Sequence, residues 1–207
     1  WQALDAAGAA AMHAPVAVLA NALDAPRLAP VAEPLRSIRG QISYLPAAAL
    51  AAPRCVVAGK GYLLPAVDGT VVTGATYDFD DNDPAPRTDS HRANLLRLTK
   101  LLADPPQGID AQALDGAAGF RCVAPDRMPL IGALPDLDAA RARRDELAGA
   151  HLADLPRLPG LYCATAYASR GLIWSALGAE SITNFLEGEP LAVEGDLADA
   201  VDPARFA

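Results

Sequence analysis

Two stretches decide how this chain is read: GFRCVAPDRMPLIGALPD, residues 119–136, and GLYCATAYASRGLIWSALGAES, residues 160–181. Each sets an arginine beside an apolar, strand-like run. In the second, Leu161–Ala166 reads as a buried strand and residues 170–187 as the helix that follows it directly, an apolar face running along Leu172, Ala176, Ala179, Ile182, Phe185 and Leu186. Strand passing straight into helix is the grammar of an α/β layer. Working outward, residues 117–124 and 129–134 read as strands and Asp138–Ala150 as a charged helix. Far upstream, PVAVLAN (15–21) reads as another buried, parallel strand.

Between these parts the pattern changes. Trp1–Leu4 reads as a short strand turning at Asp5–Gly8, and Pro26, Pro30 and Pro34 suit a connector. Ile38–Leu45, residues 55–58, residues 61–67 and Val71–Tyr77 then read as antiparallel strands. Val67-Asp68-Gly69-Thr70 supplies a type I′ hairpin turn. DFDDNDPAPRTD (78–89) is a polar loop, after which Ser90 is expected to cap a helix over about 91–103 with Leu95, Leu98 and Leu102 as its stripe. The expected architecture is α/β plus α+β. An α/β domain supplied by residues 1–35 and 117–207 is interrupted by a mainly antiparallel sheet with one helix, residues 36–116.

The 207 residues are 52% hydrophobic and 20% charged, enough to bury a core, and the net charge is −8. That balance argues against gripping a nucleic-acid backbone unaided. A local patch of Arg141, Arg143 and Arg144 alternates with Asp138, Asp145 and Glu146, the pattern of a solvated helix face. No apolar run reaches the length of a membrane span, and the alanine-rich start lacks the basic region of a secretory signal. Cys55, Cys122 and Cys163 are scattered without a CxxC pair, which suits reduced thiols in the cytoplasm. His13, His91 and His151 stand apart, and Asp78, Asp80, Asn82 and Asp89 imitate a calcium loop only loosely, because Asp83 stands where that motif needs glycine. No metal site is expected.

Arg121 lies in a strand-like run beside Phe120, Cys122 and Val123. A guanidinium there suits either a structural ion pair or a two-pronged grip on a carboxylate. Tyr62 opens a strand of the middle sheet, where its hydroxyl can pack or donate to the same acid group. Ser169-Arg170-Gly171-Leu172 joins strand to helix. With Ser169 as N-cap, this is either an ordinary capped helix or a helix end offering positive potential to a bound group. Together these features suit a site that holds a small anion beside a flat, electron-accepting ring. No GxGxxG loop is present, so a dinucleotide's ADP half would need other polypeptide, and the chain reads as part of a longer protein.

PLRSIRGQISYLPA (34–47), GYLLPAVDGTVVTGATYD (61–78), HRANLLRL (91–98), GFRCVAPDRMPLIGALPD and SRGL, taken in order, resemble one family. It is the C-terminal, FAD-dependent oxidoreductase part of the bifunctional tRNA 5-methylaminomethyl-2-thiouridine biosynthesis proteins, within the D-amino-acid oxidase and glycine oxidase superfamily. The resemblance implies a FAD-binding domain interrupted by a substrate domain. It implies oxidative removal of the carboxymethyl group from 5-carboxymethylaminomethyluridine at the tRNA wobble position, with tRNA and an N-terminal methyltransferase domain as partners. Arg121 and Tyr62 match the family's carboxylate-binding arginine and tyrosine. Arg39, Gly40 and Gln41 match one stretch lying against the flavin, and Ser169, Arg170, Gly171, Leu172 and Ile173 match another. In this picture the protein positions its substrate and needs no catalytic base of its own. Two other readings fit the same residues: an oxidase of free amino acids or secondary amines, like glycine or sarcosine oxidase, and a non-catalytic binding module.

Overall fold

The computed structural model describes residues 1–31, 35–51 and 53–207; Pro34, the last of the connector prolines, lies outside the described residues. In chain order the elements are β1 (Gln2–Leu4), β2 (Ala10–His13), β3 (Ala17–Leu19), α1 (Ala25–Leu28), β4 (Arg36–Pro46), β5 (Val57–Ala58), β6 (Tyr62–Leu63), β7 (Thr70–Gly74), β8 (Asp78–Phe79), α2 (Thr88–Leu98), β9 (Gly116–Val123), β10 (Leu130–Pro135), α3 (Leu137–Ala142), β11 (Arg157–Thr165), α4 (Gly171–Glu187) and α5 (Gly195–Val201). They form two compact units, one of Trp1–Arg36 with Cys122–Ala207, the other of Ser37–Arg121.

In the first unit β11 is the central strand, antiparallel to β10 and parallel to β3, with Leu161 opposite Ala17 and Cys163 opposite Leu19. Its core gathers Leu130, Leu134, Leu161, Cys122, Cys163 and Ala166. Burial pushes the Cys163 thiol up to about 12 and raises that of Cys122 as well, so both behave as small apolar groups. Arg157 clamps Asp202 at 2.7 and 2.9 Å, which ties the chain's last turn to β11.

Two helices of this unit depart from the sequence pattern. α3 is short, capped by Asp136 Oδ1 accepting from the Ala139 amide at 3.0 Å, and it ends at Ala142; Gly149 turns with φ of 80° inside the stretch expected to be helical. α4 buries Gly178, Ser181, Ile182 and Asn184, whereas Leu172 is 99% exposed. The reason is steric. Gly178 lets the Tyr167 hydroxyl close against the helix, so Gly178 and Ser181 join Ile182 of the expected face in the contact side, and the leucines stay outside it.

The second unit is built on β4, eleven residues long, in a sheet ordered β5-β6-β7-β4-β8, with β9 also pairing to β4. The hairpin turn forms at Asp68 and Gly69, with φ of 48° and 76°, and Val67 and Thr70 exchange amide hydrogen bonds at 2.9 Å across it. Alternation along β4 divides the sheet into two chemically different faces. One face packs Leu45, Leu63 and Val71 against Leu98 of α2 and carries a buried polar row, Arg39, Gln41 and Ser43. Gln41 Oε1 accepts from the Arg87 amide at 2.8 Å and Gln41 Nε2 donates to the Arg87 carbonyl at 2.9 Å. That pair of hydrogen bonds pins the start of α2. The helix therefore begins at Thr88 with Arg87 as N-cap, and Ser90, expected as the cap, instead lies inside it and accepts from Arg39. In the loop before it, Asp81 and Asp83 hold Arg87, and Asp78 accepts from Thr76 Oγ1 at 2.7 Å. Among the described residues no group of carboxylates, thiols and imidazoles is placed to hold a metal ion.

The same row continues to His91, whose Nδ1 lies 2.8 Å from Ser43 Oγ, while Asn94 Nδ2 donates to Ser43 Oγ at 3.0 Å. Burial lowers the His91 pKa, and nearby Asp115 only partly opposes it. Below the usual histidine value of about 6.5 the unfolded chain therefore takes up a proton that the folded one resists. Stability is expected to fall as pH drops through that value, by at most about 1.4 kcal/mol per pH unit from this group. Urea melts from about pH 7.5 to about pH 5, comparing the protein with His91→Asn, check it: the variant should lack this component. Parallel profiles would show that His91 carries no such linkage.

Candidate active-site face

The opposite face of the β4 sheet carries the candidate site. Tyr62 pairs with Gly74, and Gly74 with Ile42, so Tyr62 stands on the face defined by Ile38, Gly40 and Ile42. The Arg121 guanidinium lies directly over Gly40, where any Cβ would occupy its place. Arg121 Nη1 donates to the Thr76 carbonyl at 3.3 Å, and its Cζ sits 5.4 Å from the centre of the Tyr77 ring. Arg121 is neither buried nor ion-paired among the described residues, which leaves donors of its fork uncommitted. Tyr62 is half-buried. Burial raises its pKa and the positive charge of Arg121 partly offsets that, so the phenol stays protonated at neutral pH and able to donate. A guanidinium and a phenol donor thus share one sheet face, an arrangement that can fix a carboxylate.

Of the stretch 39–41, only Gly40 belongs to this face. Arg39 and Gln41 are completely buried on the other side, where Arg39 donates to the Asp83 carbonyl at 2.7 Å and the Ala85 carbonyl at 2.6 Å. Their side chains are committed to holding the 78–87 loop, and a ligand on the Arg121 face meets them only as backbone.

The second expected stretch lies in the other unit. Arg170, not Ser169, occupies the N-cap of α4, and among the described residues no side chain caps its first turn; the Arg170 guanidinium donates to the Arg127 carbonyl at 2.8 Å. Ala166 and Ala168 turn the chain with φ of 61° and 53° between β11 and α4. Gly171 is uncrowded on the helix side, and Leu172 and Ile173 stand exposed. A seventeen-residue helix whose first turn has no capping side chain fits an electron-rich group placed at its amino end.

A family model described as DAO, FAD dependent oxidoreductase, matches residues 1–184. The chain belongs to this FAD-dependent oxidoreductase family. Among curated proteins it is similar to the tRNA 5-methylaminomethyl-2-thiouridine biosynthesis bifunctional proteins MnmC of Burkholderia mallei (strain SAVP1) and Burkholderia pseudomallei (strain 668), each 50% identical over 208 residues. Those matches cover 100% of this chain and 32% of the relatives, so the chain spans about a third of their length. Two solved structures share the fold. Iminodiacetate oxidase from Chelativorans sp. BNC1 has a TM-score of 0.64 at 18% identity, over 92% of this chain and 47% of that one. Glycine oxidase from Geobacillus kaustophilus has a TM-score of 0.60 at 19% identity, over 86% and 43%. The family's mixed α/β architecture with a separate, mostly sheet unit is the one described above.

The sequence singles out Arg121, Tyr62 and Gly40 as candidates but does not indicate the residues around them. Tyr77 and Phe79 were placed at a strand end and in a polar loop. The alternation in Ala75-Thr76-Tyr77-Asp78-Phe79 was the available signal: aromatic residues at positions two apart share a face once this stretch pairs as β8.

Proposed function

We propose that this chain is the substrate-binding and C-terminal part of an oxidoreductase that removes the carboxymethyl group from 5-carboxymethylaminomethyluridine, with or without the 2-thio group, at the tRNA wobble position. The observation that carries this reading is the 50% identity to MnmC across the entire chain. FAD, when bound, supplies a two-electron acceptor for the hydride of the substrate's N–CH2 group. Arg121 holds the carboxylate through paired N–H donors, and Tyr62 donates a further hydrogen bond to it. Those contacts fix the neighbouring methylene in one orientation, the entropic part of the catalysis. Oxidation at that carbon leaves a C=N bond in the substrate; water adds to it, and the products are glyoxylate and a primary amine. Within the first unit, the first turn of α4, Arg170 to Ile173 with Ser169 before it, would hold the flavin's electron-rich edge; within the second, Gly40 leaves room for the Arg121 guanidinium.

In the full-length protein this reading includes tRNA as partner, a methyltransferase segment that consumes the amine, and a cytoplasmic location. Among the described residues no helix is long and apolar enough to cross a membrane. Arg141 and Arg143 pair with Asp138 and Glu146 on the surface of their own segment, so they add little to tRNA contact.

The test is glyoxylate release by full-length protein from tRNA bearing the modified uridine. The expected result is stoichiometric glyoxylate and a new primary amine on the RNA. Turnover of glycine or N-methylglycine with none on the tRNA would replace this reading with a small-amine oxidase. A colourless protein inactive on both would make the chain a binding module.

A further inference from the structure

Tyr77 and Phe79 form an aromatic shelf beside Arg121. Their ring centres lie 5.4 Å apart at 75°, an edge-to-face pair, and Tyr77 links it to the Arg121 guanidinium at 5.4 Å. Phe79 pairs with Ile38, so it projects from the same sheet face as Gly40 and Arg121. β8 is the edge strand there. Tyr77 is 38% and Phe79 51% exposed, although Ile38 beside them is buried. Three of the four nearby acidic residues are turned to other partners: Asp78 bonds Thr76 and lies 3.5 Å from Arg39 on the opposite face, and Asp81 and Asp83 are held by Arg87, while Asp80, next to Phe79, is exposed to solvent. An exposed π surface next to a guanidinium that has no ion pair among the described residues is suited to a ligand with a flat ring at one end and a carboxylate at the other.

We propose that Phe79, packed edge-to-face with Tyr77, is the stacking platform for the pyrimidine ring of the substrate; this rests on the function proposed above. The spans agree. In carboxymethylaminomethyluridine four bonds separate the carboxylate carbon from ring carbon C5, about 5 Å when extended at ordinary bond lengths. That reach is of the same order as the 5.4 Å from the Arg121 guanidinium to the Tyr77 ring and the 5.4 Å from Tyr77 to Phe79. A stacked base needs no sequence-specific hydrogen bond, so selection falls on the presence of a planar ring. Arg121 and Tyr62 recognise any N-substituted glycine; Phe79 distinguishes one whose substituent is a nucleobase. It is a specificity residue that touches the substrate away from the reacting carbon.

The experiment uses full-length, flavin-containing protein and steady-state glyoxylate formation on tRNA bearing 5-carboxymethylaminomethyluridine, with N-methylglycine as a competing carboxylate. Phe79→Ala is expected to raise KM for the tRNA about tenfold, the usual effect of removing one stacking aromatic, with kcat within about twofold. The inhibition constant for N-methylglycine should not move, and Phe79→Tyr should restore KM. An unchanged KM, a fall in kcat alone, an equal weakening for N-methylglycine, or no rescue by tyrosine would overturn the platform. Failure of the underlying reading shows separately, in the unmodified protein: no glyoxylate from the tRNA while N-methylglycine itself is oxidised removes the nucleobase and the platform with it.

Discussion

Arg121→Lys in the full-length protein is expected to lower kcat/KM on the modified tRNA about hundredfold while the visible flavin spectrum persists. A lysine ammonium presents a point charge and cannot span both carboxylate oxygens, so the orientation of the adjacent methylene is lost along with part of the binding. A charge-assisted pair of this kind typically contributes about 2–5 kcal/mol, and about 2.7 kcal/mol corresponds to the stated factor. Stability should barely change. Arg121 is not buried, has no ion pair among the described residues and gives one backbone hydrogen bond at 3.3 Å. Glyoxylate kinetics and a denaturant melt on the same preparation separate the two effects. Turnover equal to that of the unmodified protein would remove Arg121 from the site, and a matching loss of stability would make it a structural residue.

The candidate residues Arg121 and Tyr62 stood out in the sequence, and the geometry that gives them context did not. Arg121 stood out because a guanidinium in an apolar strand demands a partner or a ligand. The hairpin at Asp68-Gly69 and the parallel partnership of β3 with β11 followed from turn chemistry and a continuous apolar run, although β3, expected to be buried, is only partly covered and leaves Val18 43% exposed. What sequence periodicity could not provide was which face of a strand each ligand-binding group shares. Arg39, Gly40 and Gln41 are neighbours in sequence, yet pleating sends two side chains into a buried network and leaves the third position for Arg121. The helix starts moved for a related reason. Capping by Ser90 was a local reading, and the long-range bonds from Gln41 to the Arg87 amide and carbonyl overruled it. In α4 the leucines marked an apolar face, but close approach by Tyr167 set Gly178 and Ser181 beside Ile182 in the contact side and left the leucines outside it.

Gly40→Ala tests whether the guanidinium's place over β4 is what matters. The added methyl would fall where the Arg121 guanidinium now lies, so the guanidinium must shift from its place over β4, on the face it shares with Tyr62. The displaced group is the end of a flexible side chain, and alanine is a better strand residue than glycine by about 0.5–1 kcal/mol, so folding stability is expected to hold or rise slightly. Gly116 provides the structural contrast: a methyl there would run into the Ile42 carbonyl and come within 2.8 Å of the His91 ring, groups that cannot swing aside. KM for the modified tRNA should therefore rise at least about tenfold in Gly40→Ala with an unshifted denaturation midpoint. Because both substitutions remove the same carboxylate grip, adding Gly40→Ala to Arg121→Lys should cost almost nothing more. Full additivity of the two losses would mean that Gly40 meets the ligand independently, through its own backbone, rather than by making room for Arg121.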